Sequence, residues 1–75
     1  MAKVQDMLNP GRPLADAIRR LLGENLDDID KSLNVASFDR HVDQLELLEC
    51  WQHLSSSERA LYKRLLALGN EHANF

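Results

Sequence analysis

The chain has 75 residues, 44% of them hydrophobic, which is typical of one small globular domain and not of a disordered segment. Nine basic residues stand against twelve acidic ones, and the net charge of −3 excludes a strong overall field toward nucleic acid or anionic lipid. A single cysteine cannot form an intrachain disulfide, and no run approaches the ~20 apolar residues of a spanning helix or the apolar core of a secretion signal. We therefore expect a cytoplasmic protein that does not associate with membranes.

Leucines recur at helical steps of three and four, and no window alternates as a β-strand would. The sequence therefore predicts an all-α fold, a small bundle of three to four short helices. Prolines and a glycine interrupt the chain at residues 9–13. We thus expect residues 1–12 to form an N-terminal arm that is frayed or docked on a partner, residues 13–69 to form one helical domain, and residues 70–75 to be a polar tail.

The first predicted helix covers residues 13–22, with Gly23 as a left-handed cap after it. The second covers residues 24–33 and carries a narrow apolar stripe of Leu26, Ile29 and Leu33. Aspartates surround this stripe, where they would complement the positive end of the helix dipole. The segment DDIDKSLN lacks the central glycine and terminal glutamate of a calcium-binding loop, so we predict no calcium site.

The third predicted helix has Ser37 as its N-cap and runs through residues 38–53. It carries two apolar sets on nearly opposite sides: Phe38, Val42, Leu45 and Leu48 form the first, and Leu47, Cys50, Trp51 and Leu54 form the second. The first set alone would serve one small core. The second set is therefore predicted to be covered by another helix of the chain or by another molecule.

The fourth predicted helix, residues 56–68, follows the clearest local signal in the sequence. Ser55-Ser56-Ser57-Glu58 matches a capping box, in which the first serine and the glutamate satisfy each other's free backbone N–H groups. Leucines and Tyr62 then form a broad apolar face, and Gly69 is expected to end the helix.

Side chains that could carry chemistry are few. Cys50 and His53 are one helical turn apart, but His41 falls opposite Cys50 on the predicted helix and zinc needs four converging ligands. On its apolar stripe, Cys50 is predicted to be a small buried hydrophobe. A nucleophilic Cys50 would also need a pocket and a third group to orient its base. We therefore predict a protein that is not an enzyme, with no catalytic residue, no metal, no cofactor and no small-molecule substrate.

Trp51 is the only tryptophan, and it is either the main core aromatic or an interface anchor, a role in which tryptophan is enriched. The two apolar sides of the third helix favour an interface. The sequence thus predicts a small regulatory or adaptor protein that acts by helix-mediated protein–protein interaction with a protein partner or as a homodimer. The predicted contact residues are Leu47, Cys50, Trp51, Leu54, Arg59 and Lys63.

The alternative prediction is a helix-turn-helix transcription regulator built from residues 38–53 and 56–68. Its DNA contacts would be Ser56, Ser57, Arg59, Lys63 and Arg64. The acidic net charge and Glu58 would repel phosphate, so DNA is the less favoured partner.

Overall fold

The computed structural model describes residues 11–73, which form four α-helices and no strand. The helices are α1, Gly11–Gly23; α2, Asp28–His41; α3, Gln44–Trp51; and α4, Ser56–Ala73. The predicted all-α fold is therefore confirmed. Both predicted domain boundaries fall inside helices, because α1 already includes Gly11 and Arg12 and α4 continues to Ala73; residues 1–10 of the predicted arm lie outside the described residues.

The most extensive packing in the fold is between α2 and α4. The two helices are antiparallel, because Gly69 lies against Ser32 while Tyr62, earlier in α4, reaches Asp39, later in α2. A Cβ atom at Gly69 would lie only 2.1 Å from the backbone oxygen of Ser32. The prediction that Gly69 ends the helix is wrong, because this glycine permits a close helix contact.

α1 packs on α3 more extensively than on α2 or α4. A Cβ atom at Gly11 would lie 2.8 Å from the backbone nitrogen of Cys50, so the first residue of α1 also makes a close contact. At the other end, Gly23 is within the helix, and no residue of the described range has a positive φ. The predicted left-handed cap at Gly23 is therefore wrong. The core that these packings enclose consists of Ala15, Ile18, Leu22, Val35, Cys50, Leu54, Tyr62 and Leu65.

The predicted boundary at Ser37 is wrong, since Ser37 lies inside α2. Asp27 caps α2 instead and accepts a hydrogen bond from the Asp30 backbone N–H at 2.8 Å. The break comes later, where Asp43 caps α3 by accepting from the Leu45 N–H at 2.9 Å. Aspartate side chains compete well for the free N–H groups at a helix start, so the single predicted helix is divided into the end of α2 and the separate helix α3.

This break decides which apolar set enters the core. Cys50 and Leu54 are 0% and 3% exposed, whereas Leu45 and Leu48 are 75% and 70% exposed. The expectation that Leu45 and Leu48 pack in the core is wrong. Because the helix is broken before Asp43, α3 has its own orientation, and Cys50 and Leu54 of the second set are buried instead. In α2, Ser32, Val35 and Ala36 face the interior, and the predicted stripe is left partly exposed. None of the helices in residues 11–73 is long and apolar enough to cross a membrane.

Candidate functional site

An apolar groove separates α3 from α4. It opens because α3 packs on α1, while α4 packs along α2. Its volume is about 390 Å³. We name it the α3–α4 groove, and its lining residues are Asp39, Gln44, Leu47, Leu48, Trp51, Tyr62, Lys63 and Leu66.

Two aromatic rings form the base of the groove. Tyr62 is 1% exposed, and its ring meets the half-buried indole of Trp51 edge to face with centroids 5.6 Å apart. The Tyr62 hydroxyl donates a hydrogen bond to Asp39 Oδ1 at 2.8 Å. Burial raises the pKa of Tyr62 far above its ordinary value, and the bond to the Asp39 carboxylate raises it further. The phenol is therefore a neutral donor, and its bond to Asp39 fixes the orientation of the ring against Trp51.

Two cations of α4 lie beside Trp51. Arg59 Nε donates to the Trp51 backbone oxygen at 3.0 Å, and the same oxygen, at the end of α3, also accepts from the Leu54 N–H at 3.3 Å. Lys63 Nζ lies 5.5 Å from the centroid of the Trp51 ring, within the range of a cation–π interaction. Arg59 thus holds the backbone of Trp51, and Lys63 forms a charged rim beside its ring.

Two leucines project into solvent from the helix that forms one wall of the groove. Leu48 lines the groove directly, and Leu45 is one turn before it on α3. At 100° per residue, an apolar arc runs around α3 from the core through Leu47 and Trp51 to these two side chains. The sequence does not indicate this exposure when residues 38–53 are taken as one helix. The signal that indicates it is Asp43, a good N-cap residue between Val42 and Leu45.

The structure brings together four of the six predicted contact residues. Leu47, Trp51 and Lys63 line the groove, and the side chain of Arg59, from α4, bonds to the last residue of α3. Cys50 and Leu54 do not belong to this surface, because both are buried in the core of the chain. Their prediction as direct contacts is corrected: they hold α3 in position, and Leu45 and Leu48 provide the exposed apolar side chains.

The Cys50 environment is that of a core side chain. Burial raises the pKa of its thiol, and the charge of Arg19 lowers it by less. A buried neutral thiol is a poor nucleophile and a poor metal ligand. Across residues 11–73, no group of three or more His, Cys, Asp and Glu side chains converges as a metal site would require.

The predicted capping box is present at the start of α4. The Ser55 N–H donates to Glu58 Oε1 at 2.7 Å, and the Glu58 N–H donates to Ser55 Oγ at 3.1 Å. Arg19 of α1, which the sequence analysis did not single out, adds a bond from its Nε to Glu58 Oε2 at 2.9 Å and another to the His53 carbonyl oxygen. The bond from the Ser55 N–H, with that from Arg19, lowers the pKa of Glu58. Arg19 therefore ties α1 to the turn that joins α3 and α4.

The predicted DNA contacts all lie on α4. Ser56, Ser57, Lys63 and Arg64 are exposed, and Arg59 is half-buried. Arg59 donates to the backbone of Trp51, and Lys63 lies over its ring. Two of the three predicted cations therefore already contact Trp51.

A scan against protein-family models found no match, and neither did searches of curated proteins and of solved structures. The geometry of the α3–α4 groove is accordingly the basis for a functional proposal.

Proposed function

We propose that the protein is a small non-enzymatic adaptor or regulator that acts by helix-mediated protein–protein interaction and self-associates through the α3–α4 groove. One observation carries the proposal. The helix α3 forms one wall of the apolar groove, and two of its side chains, Leu45 and Leu48, are 75% and 70% exposed. A two-fold contact needs a surface that is complementary to itself. Projecting leucines beside a recess meet that need, because each copy can place its leucines in the groove of the other.

The expected strength of this contact follows from the apolar area involved. Covering two exposed leucines in each of two copies would contribute on the order of 6–10 kcal/mol. Association costs a comparable amount in lost translational and rotational freedom, roughly 4–15 kcal/mol. We therefore propose a weak, reversible dimer and not an obligate one.

Charges around the groove agree with a second copy as its occupant. The groove is lined by the Lys63 ammonium group and the Asp39 carboxylate, and Glu49, next to Leu48 on α3, is exposed. Because both signs occur on one surface, a two-fold contact can pair Lys63 of each copy with a carboxylate of the other. Such rim pairs set orientation more than affinity.

We also propose a cytoplasmic location. The only cysteine of the chain is Cys50, and it is a free, buried thiol. Free thiols persist in a reducing compartment.

DNA binding remains the alternative proposal. The link between α3 and α4, residues 52–55, has the length of a helix-turn-helix turn, and Arg64 is exposed on α4. The engagement of Arg59 and Lys63 with Trp51 leaves fewer cations for phosphate. This is why we prefer the protein interaction.

Two measurements on the same preparation separate the proposals. Sedimentation over a range of micromolar concentrations should give a mass that rises from monomer to dimer, and random duplex DNA at low salt should give no mobility shift. A monomer at every concentration together with a salt-sensitive shift would replace the first proposal with the second, since phosphate contacts weaken with salt.

A further inference from the structure

A second exposed apolar surface lies at the start of α2, away from the groove-lining residues. Ile29 and Leu33, one helical turn apart on α2, are 48% and 36% exposed, and Leu26, in the link just before the helix, is 41% exposed. We name these three residues the α2 stripe. Because α2 already buries Ser32, Val35 and Ala36 against α4, the stripe is apolar surface beyond what the core uses.

Carboxylates frame the α2 stripe. Glu24, Asp27, Asp28 and Asp30 lie within seven residues of one another, and no lysine or arginine occurs among residues 21–30. Lys31, the nearest cation in the sequence, directs its Nζ to the Leu22 backbone oxygen at 3.0 Å. Within residues 11–73 both ion pairs involve Arg19, so none of these four carboxylates is neutralised by an ion pair there.

The start of α2 gives a structural reason for three of these carboxylates, and all three remain accessible to a partner. Asp27 is the N-cap of α2, and Asp28 and Asp30 lie in its first turn, where the helix dipole favours negative charge. All three residues are exposed. The far end of α4, where Gly69 contacts α2 at Ser32, contains no lysine or arginine in residues 69–73, and its titratable side chains are Glu71 and His72.

We propose that the α2 stripe is a docking site for a basic amphipathic helix of a partner protein. The apolar face of such a helix would cover Ile29 and Leu33, and its flanking lysines or arginines would pair with the carboxylates of Asp28 and Asp30. A helix with acidic flanks would be repelled. This surface does not depend on the α3–α4 groove, and it would give a self-associated protein one partner site on each copy.

The test uses two labelled synthetic helices that share a leucine face, one with lysine on both flanks and one with glutamate, and measures their binding by fluorescence anisotropy. The lysine peptide should bind the full-length chain, more weakly as salt is added. The glutamate peptide should bind at least about tenfold more weakly. Equal binding of the two peptides, or no binding of the lysine peptide, would overturn the proposal.

Matched variants locate the binding surface. Ile29→Gln combined with Leu33→Gln should weaken lysine-peptide binding at least about tenfold, whereas Leu45→Gln combined with Leu48→Gln should leave it unchanged. Circular dichroism checks that each variant is folded. If the Ile29→Gln, Leu33→Gln variant does not fold, the exposed pair Asp28→Asn and Asp30→Asn is used instead. This variant should bind the lysine peptide about two- to fivefold more weakly than the unchanged chain does.

Other occupants of the stripe give different results. A change in sedimentation with the Ile29 and Leu33 variant, without a change in peptide binding, would make the stripe a contact between copies. Peptide binding that appears only after residues 1–10 are removed would make it a site for the chain itself. Either result overturns the proposal of a docking site at the α2 stripe. Neither bears on self-association through the groove, which sedimentation of the Leu45→Gln, Leu48→Gln variant tests separately.

Discussion

The ring of Tyr62 meets the indole of Trp51 edge to face, with the two ring planes at 77°. Tyr62 belongs to the core, and Trp51 lies at the surface of the α3–α4 groove. The same indole has the Lys63 ammonium group over its ring, and its backbone carbonyl accepts from Arg59. The base of the groove is thus ordered before any partner arrives, which reduces the entropy lost on binding.

Gly69→Ala tests the close contact between α2 and α4. The added Cβ would lie 2.1 Å from the Ser32 backbone oxygen and 2.8 Å from the Ala36 Cβ, and neither helix backbone can move without disturbing the core. We expect the free energy of unfolding to fall by about 2–3 kcal/mol, measured by urea denaturation.

Gly23→Ala is the matched control for that substitution. Gly23 is exposed near the end of α1, and nothing lies within 4 Å of the position of an added Cβ. We expect between no change and about 1 kcal/mol of stabilisation, because alanine favours the helix and restricts the unfolded chain. Equal effects of the two substitutions would contradict the close packing described at Gly69.

The pH dependence of stability should carry a contribution from Glu58. The Ser55 N–H and Arg19 lower the pKa of Glu58 in the folded protein, so the unfolded chain binds its proton at a higher pH than the folded chain does. The stabilisation is present above the ordinary glutamate pKa of 4.5 and is lost as the pH falls through the lower folded-state value.

Glu58→Gln isolates this contribution, because an amide oxygen can still accept from the Ser55 N–H while the charge opposite Arg19 is lost. Urea denaturation from neutral pH downward should give a smaller acid-induced loss of stability for the variant than for the unchanged chain. Parallel curves for the two proteins would mean that Glu58 has no lowered pKa.

Cys50 should resist thiol reagents in the folded protein. Its side chain is buried, and burial raises the pKa of its thiol, so both access and thiolate formation are suppressed. Labelling with a maleimide at neutral pH should be slow in buffer and fast in denaturing urea. Equally fast labelling under both conditions would contradict the placement of Cys50 in the core.

Features set by short-range chemistry could be predicted from the sequence. The capping box at Ser55 and Glu58 involves residues three positions apart, so the start of α4 is determined by the local sequence. The helical class follows from the leucine period. Trp51 is half-buried beside the groove, so its predicted role as an interface anchor stays a prediction.

Features set by distant contacts could not be predicted. A glycine can end a helix or admit a neighbouring one, and the choice at Gly69 depends on Ser32, which is far away in the sequence. Ser37 and Asp43 are both acceptable N-caps, and the packing of α2 on α4 keeps Ser37 inside a helix. The position of the break sets the orientation of α3, which leaves Leu45 and Leu48 at the surface.

Sedimentation of the Leu45→Gln, Leu48→Gln variant beside the unchanged chain tests the central claim most directly. Both side chains are largely exposed, so the variant should keep its helicity and its resistance to thiol reagents at Cys50. The account predicts that the unchanged chain shifts from monomer toward dimer as its micromolar concentration rises, while the variant stays monomeric over the same range. An unchanged chain that is monomeric throughout, or a folded variant that dimerises as readily, would contradict it.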